Sequence, residues 1–313
     1  MKKSVTSIAK IASGLALAAA SSVAMASVTN TPHNLSVTQT GGAHLTGAGA
    51  TTEVCIFCHT PHGGDQSVNA PIWNRHVSST SVYTRFSSLN RITFDAQEAP
   101  IGSVSIACLS CHDGTQARDQ VINGPGSGNN SNNVGSGTGW MDGTNASTSY
   151  LSDLVASDNG TMSGDLIFLG TDLRNDHPIS MQYAGGGLSA TATSGATTDP
   201  DFAQYTGATG GYGSAATNHA STTSTNSPTA VATGIATGAV NYQSTAGGRW
   251  YIDTGTNGYQ ATDFPLYTRT DLGTAQPFVE CATCHDPHSS QPTFLRLPGG
   301  NTGSQVCLTC HAK

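Results

Sequence analysis

Apolar positions in this chain come as short islands between long polar stretches. The first island is the longest, an apolar run from about Ile8 to Ala20 that follows a basic Met1-Lys2-Lys3 start and precedes a small-x-small Ala24-Met25-Ala26. The run is too short and too rich in alanine for a membrane span. Together these features predict a secretory signal over residues 1–26 and a mature chain from about Ser27, with an uncleaved anchor as the alternative. Downstream, residues 124–139 read GPGSGNNSNNVGSGTG, and Gly, Ala, Ser and Thr dominate residues 184–247. Neither a 3.6-residue stripe nor a sustained strand alternation persists there. Such a composition buries too little apolar area to offset its own ordering entropy. Disorder fits, and so does an irregular wrap around a rigid object that is not protein. The islands Leu166-Ile167-Phe168-Leu169, Trp250-Tyr251-Ile252 and Phe264-Pro265-Leu266-Tyr267 favour the wrap. The fold expected is mostly irregular coil with short α-helices and little β.

The rigid object is named by the cysteines. All eight fall in four Cys-x-x-Cys-His motifs: Cys55-Ile56-Phe57-Cys58-His59, Cys108-Leu109-Ser110-Cys111-His112, Cys281-Ala282-Thr283-Cys284-His285 and Cys307-Leu308-Thr309-Cys310-His311. This spacing is the attachment signature of c-type haem. The two thiols add across the two vinyl groups of one porphyrin, and the following His supplies the proximal nitrogen to iron. Four motifs imply four covalently bound c-type haems. A lone Cys-x-x-Cys also fits half a zinc site or a thiol redox pair, and eight cysteines fit a disulfide framework. Neither reading requires a His directly after each pair, and no cysteine is left over. In an exported chain, haem attachment gives the thiols a use other than disulfides.

The expected organisation is one domain over residues 27–313, built on its haems. Residues 27–115 carry the first haem pair, 116–275 form a Gly/Ser/Thr-rich wrapping segment, and 276–313 carry the second pair. Only 21 residues separate His285 from Cys307, which brings those two haems close together. The motif segments are expected to be short helices. Losing residues 1–26 removes Lys2, Lys3 and Lys10 and no acid, so the formal charge of −7 becomes about −10 and Lys313 is the last lysine. A nucleic-acid partner, which needs a basic face, is excluded. No second apolar run is long enough to span a membrane.

Each iron also needs a sixth ligand or an open position. Of eleven histidines, seven are not proximal: His33, His44, His62, His76, His177, His219 and His288. His62 and His288 each follow a proximal His by three residues, in Cys-His-Thr-Pro-His and Cys-His-Asp-Pro-His. A residue so placed lies near the same helical edge as the proximal ligand, so it reaches a neighbouring haem more naturally than its own. His177 follows Asp176, which is positioned to orient the ring, and precedes Pro178, which holds it out of the α region. A ligand at His33 would tether the mature N-terminal arm. The distal set expected is therefore His33, His62, His177 and His288, with His76 the nearest competitor and His44 and His219 solvent-exposed. Methionine is the other common ligand, but Met141, Met162 and Met181 lie beside no recognisable haem segment.

The chain resembles bacterial multihaem c-type cytochromes related to the cytochrome c3 family, particularly the surface-exported proteins that polymerise into filaments. The resemblance rests on Ile56-Phe57-Cys58-His59-Thr60-Pro61-His62, Ala70-Pro71-Ile72-Trp73-Asn74, Cys108-Leu109-Ser110-Cys111-His112-Asp113-Gly114, Asn175-Asp176-His177-Pro178-Ile179-Ser180, Cys281-Ala282-Thr283-Cys284-His285-Asp286-Pro287-His288 and Cys307-Leu308-Thr309-Cys310-His311-Ala312-Lys313. His76 departs from that pattern. The resemblance implies bis-histidine haems in a continuous stack, with His62 ligating a haem of the adjacent subunit in a homopolymer. The function expected is non-enzymatic electron transfer in the periplasm or at the cell surface. Its partners would be redox proteins or extracellular electron acceptors that recognise an acidic surface. The alternative is a haem-dependent reductase with one open axial position.

Overall fold

The computed structural model describes residues 28–39, 51–77, 83–90, 95–115, 121–125, 168–188, 198–199, 201–203, 205–209, 239–243, 248–254 and 259–311. The signal segment 1–26, His44, His219, Met141 and Met162 lie outside these residues, as does much of the wrapping segment. Short helices form on the motifs. Helix α1 (Ser105–His112) carries the second, α2 (Cys281–Cys284) the third and α3 (Gln305–Cys310) the fourth, while the first sits on a 3-10 turn, Val54–Phe57. A capping box opens α2: the Glu280 N–H donates to Thr283 Oγ1 (3.0 Å), and the Glu280 carboxylate accepts in return.

The expectation of mostly coil with little β is overturned. Strands β1 (Met181–Gln182), β2 (Tyr205–Thr209), β3 (Ala239–Gln243), β4 (Arg249–Asp253), β5 (Phe264–Arg269) and β6 (Gln276–Val279) form one six-stranded sheet in the order β1-β6-β5-β4-β3-β2. Its centre, β3 to β6, is an antiparallel run of four, and only the β2–β3 pairing is parallel. Phe168-Leu169 lies in no strand, whereas the islands Trp250-Tyr251-Ile252 and Phe264-Pro265-Leu266-Tyr267 lie in β4 and β5 and not in an irregular wrap.

Two physical reasons hid them. Residues 250–253 of β4 and 264–266 of β5 are buried without interruption, so the two-residue alternation of a one-sided strand is missing. Proline in a strand also argues against a sheet, and Pro265 and Pro277 both lie in this one. Strand β5 pairs with β4 through Phe264–Leu266 and with β6 through Tyr267–Arg269, changing partner halfway along. Pro265 therefore faces Tyr251 on one edge and has no ladder partner on the other. Pro277 faces Thr268, while the β1 ladder touches only Phe278 and Val279. The N–H that proline lacks is not needed at either place.

Two apolar clusters result, one beneath each motif pair. Tyr183, Leu188, Val240, Trp250, Ile252, Phe264, Leu266 and Leu297 form a buried cluster on the sheet, with Cys284, Val306 and Cys310 packed against it. Val68, Trp73, Tyr83, Ile101, Ile106, Leu109 and Leu173 form the other, with Cys58 at its margin.

Candidate haem-binding sites

The first and third motifs are held by the same backbone device, although beyond the shared His-x-Pro-His their return loops differ in length and sequence. In the first, the His59 Nδ1–H donates to the Pro71 carbonyl (2.9 Å), the Thr60 N–H to the Ile72 carbonyl (2.9 Å) and the Asn74 N–H to the Cys58 carbonyl (2.9 Å). In the third, the His285 Nδ1–H donates to the Thr293 carbonyl (2.8 Å), the Asp286 N–H to the Phe294 carbonyl (2.8 Å) and the Arg296 N–H to the Cys284 carbonyl (2.9 Å). The likeness extends to side chains. Asn74 Nδ2 donates to the Ile56 carbonyl (2.6 Å) and Arg296 Nε to the Ala282 carbonyl (3.0 Å), in each case the first residue between the paired cysteines. Both loops turn through the left-handed region without glycine, at Ile72 (φ 47°) and at Thr293 and Phe294 (φ 56° and 58°). For a β-branched or bulky residue this is a strained conformation, and the clasp persists because its hydrogen bonds over-determine it.

The clasp has a chemical consequence. A carbonyl can only accept, so Nδ1 carries the proton at His59 and His285, and Nε2 is left as a lone pair. A histidine metal ligand oriented through its other nitrogen has this arrangement. His177 is prepared in the same way, donating through Nδ1 to the Pro178 carbonyl (3.1 Å). Asp176 does not orient that ring: its Oδ2 is buried with no hydrogen-bond partner among the described residues.

Two proximal histidines lie beside spare ones. The His59 and His288 ring centroids are 6.1 Å apart with planes 13° from parallel, and those of His112 and His33 are 6.3 Å apart at 69°. A metal bonded to two imidazoles from opposite sides, each at about 2 Å, sets their centroids on the order of 6 Å apart. The centroid spacing of each pair is the one that an iron held between two imidazoles would require, and the donor set fits a c-type haem. His285, His288, the Pro287 carbonyl and Phe294 all belong to one ten-residue loop, 285–294. This loop bears the third motif's own ligand, lays His288 beside His59, and stacks Phe294 on His33 (4.1 Å, 10°).

The cysteines run in chain order through the molecule. Cys58 lies close enough to Cys111 to be raised by its charge, the Cys108 and Cys281 thiols are neighbours, and Cys284 neighbours Cys307 and Cys310. Their proximity raises the Cys108 pKa and lowers that of Cys281; burial first, then Cys111, pushes Cys58 up to about 12. Thioether sulfurs carry no proton, so for the assembled protein it is the proximity that matters. Between the second and third motifs lies a buried polar joint. The Glu280 carboxylate accepts from Ser105 Oγ on α1 (2.5 Å), Ser180 Oγ (3.2 Å) and Arg269 Nη1 (3.0 Å), while the Cys281 N–H donates back to Ser105 Oγ (2.9 Å). Arg269 also holds Asp271 and the Pro100 carbonyl. Burial pulls Arg269 down, but its two carboxylates outweigh that and keep it firmly charged. At the more deeply buried Glu280 desolvation wins, and the carboxyl is raised.

The other expected ligands are not brought together. His62 is exposed; its carbonyl accepts from Thr60 and Asn123, and its ring meets no other ring among the described residues. His177 is exposed, and His76 is exposed with Asp65 3.9 Å away. His311 lies against Phe202 (4.4 Å). Met181 is buried in β1. Among the described residues no three His, Cys, Asp or Glu side chains converge as a zinc site would need, and none of the eight cysteines forms a disulfide. Sequence reasoning missed the clasp residues Pro71, Thr293, Phe294 and Arg296 and the Ser105–Glu280 joint. The only signal for the clasp was a proline and an aromatic residue 7 to 14 residues after the proximal histidine: Pro71 and Trp73 after His59, Pro292 and Phe294 after His285.

The family described as "Doubled CXXCH motif" matches residues 276–313, the second motif pair with its leading strand. This motif binds c-type haem, and its doubling points to a multihaem c-type cytochrome and to electron transfer. The clasp at residues 55–74 is equivalent to the one inside that match. No curated protein matches the chain. No helix among the described residues is long and apolar enough to cross a membrane.

Proposed function

We propose that the protein is an exported tetrahaem c-type cytochrome that carries electrons through a row of bis-histidine haems, in the periplasm or at the cell surface. The haem supplies a one-electron iron couple; the chain's task is to fix ligands, order and spacing and to keep water from the ring edges. One observation carries the reading: two proximal histidines, His59 and His112, each lie about six ångströms from a spare histidine, His288 and His33 (6.1 and 6.3 Å). These are the assigned axial pairs of the first and second haems. His62 and His177 remain for haems ligated by His285 and His311. The chain-order run of cysteines supports sequential transfer from the first haem to the fourth. An acidic chain suits redox proteins or extracellular acceptors as partners.

The equivalence of the clasps supports a homopolymer. His288 and His62 hold the same place, three residues after a clasped proximal histidine, and His288 lies beside the proximal histidine of the other clasp. His62, at the equivalent place, is exposed, and we assign it to a haem of the adjacent copy in a filament.

Optical spectra with carbon monoxide test the haem reading. Four low-spin haems that do not bind it are expected; one high-spin haem that does would favour the reductase. Electron microscopy of the purified protein tests the polymer. His62→Ala is expected to be monomeric with one haem altered, and filaments with an unchanged haem spectrum would refute the assignment.

A further inference from the structure

Phe294 belongs to the third motif's clasp, yet its ring serves the second site. Its carbonyl accepts from Asp286 and its own N–H donates to the Gln291 carbonyl (2.9 Å), so both backbone groups are committed. With φ at 58° the backbone is also fixed in the left-handed region, which carries a cost for a bulky residue. The side-chain direction is thereby set, and the ring stacks on His33 at 4.1 Å and 10°. His33 has little else to fix its plane. Its Nδ1 lies 3.5 Å from the Pro287 carbonyl, at the outer limit of a hydrogen bond. The arm behind it is anchored through Asn34, whose amide donates to the Thr29 carbonyl (2.8 Å) and Thr38 Oγ1 (3.0 Å).

We infer that Phe294 is a positioning residue for the second haem, holding the His33 imidazole so that its plane crosses that of His112 at 69°. The inference rests on the reading of His33 and His112 as an axial pair. The angle between two axial imidazoles has an electronic meaning. Parallel planes lift the near-degeneracy of the iron dπ orbitals and give an ordinary rhombic low-spin resonance. Crossed planes leave the orbitals close in energy and give a single feature at large g. The first pair, at 13°, belongs to the former kind and the second, at 69°, to the latter. A ten-residue loop thus makes two neighbouring haems electronically different: it supplies a parallel ligand to one and braces a crossed ligand of the other.

Electron paramagnetic resonance of the ferric, fully haem-loaded full-length protein tests this. The wild type is expected to show both kinds of signal. Phe294→Ala and Phe294→Leu should lose one haem's share of the large-g intensity with the rhombic signal unchanged, and Phe294→Trp should keep it. Leu retains apolar bulk without a flat ring, so its result stands even if the alanine variant folds poorly. Unchanged large-g intensity in both Ala and Leu variants overturns the role of Phe294 while leaving the axial pair intact. If His33→Ala still gives four low-spin haems in near-infrared magnetic circular dichroism, the axial pair itself is wrong.

Discussion

The two motif pairs use one clasp on two different supports. Around the second pair, Cys284, Val306 and Cys310 press on a sheet whose buried face carries Trp250, Ile252, Phe264 and Leu266. Around the first, Trp73, Ile101, Ile106 and Leu109 pack among loops and α1, with no strand of the sheet in their cluster. The clasp hydrogen bonds nevertheless match one for one. A proximal histidine is therefore oriented by local backbone geometry. What lies beneath it decides how firmly it is held against its neighbours.

Removing the sheet's anchor should break the comparison most severely. Trp250 is 1 % exposed, and Trp250→Ala is expected to cost about 3–5 kcal/mol. Denaturant unfolding followed at the haem Soret band should show the second pair lost first.

The joint between the pairs comes next. Glu280→Ala leaves Arg269 with only Asp271 as a carboxylate partner and strands two serine hydroxyls, at a cost of about 3 kcal/mol; Glu280→Gln, which keeps the acceptor for Ser105, should cost less. The same site gives a pH dependence. Burial raises the Glu280 carboxyl, so the folded protein retains its proton at pH values where the unfolded chain has released it. That contribution to stability is full at low pH and is lost as pH rises from the ordinary carboxylate range through the raised value. Melting curves of Glu280→Gln should lack this slope.

Within the clasps, Asn74 and Arg296 do equivalent work at unequal depth. Asn74 is fully buried and also exchanges hydrogen bonds with the Asn123 backbone (both 2.9 Å), whereas the Arg296 side chain keeps about a tenth of its surface in solvent. Asn74→Ala is expected to cost about 2–3 kcal/mol and Arg296→Ala about 1–2 kcal/mol. Redox titration should shift the first haem in one variant and the third in the other. The smallest effect is expected at Ile72. Ile72→Gly relieves about 1 kcal/mol of left-handed strain and adds a similar entropic cost in the unfolded chain. Stability should change by less than about 1 kcal/mol, which calorimetry checks.

Some of this was legible in the sequence. The motif cysteines and histidines stand out because covalent haem attachment needs fixed, local spacing, and the helical turns on three motifs follow from the same short range. That His288 reaches toward a neighbouring motif was readable, because a residue three positions on cannot easily turn beneath its own haem, and it lies beside His59 of the first motif. The sheet was not readable: β4 and β5 are buried along continuous runs, and two prolines sit where a ladder changes partner. Nor was the clasp, whose partners lie twelve residues apart in one copy and eight in the other and act through carbonyls that any residue supplies.

The sequence by itself determined where c-type haem attaches and which nitrogen sources the chain has to offer, because those are properties of residue type and near-neighbour spacing. Only the tertiary structure decided that His288 lies beside His59 and His33 beside His112, at what angles, and over which support. Those facts depend on contacts between segments some 80 to 230 residues apart, and no local pattern records them.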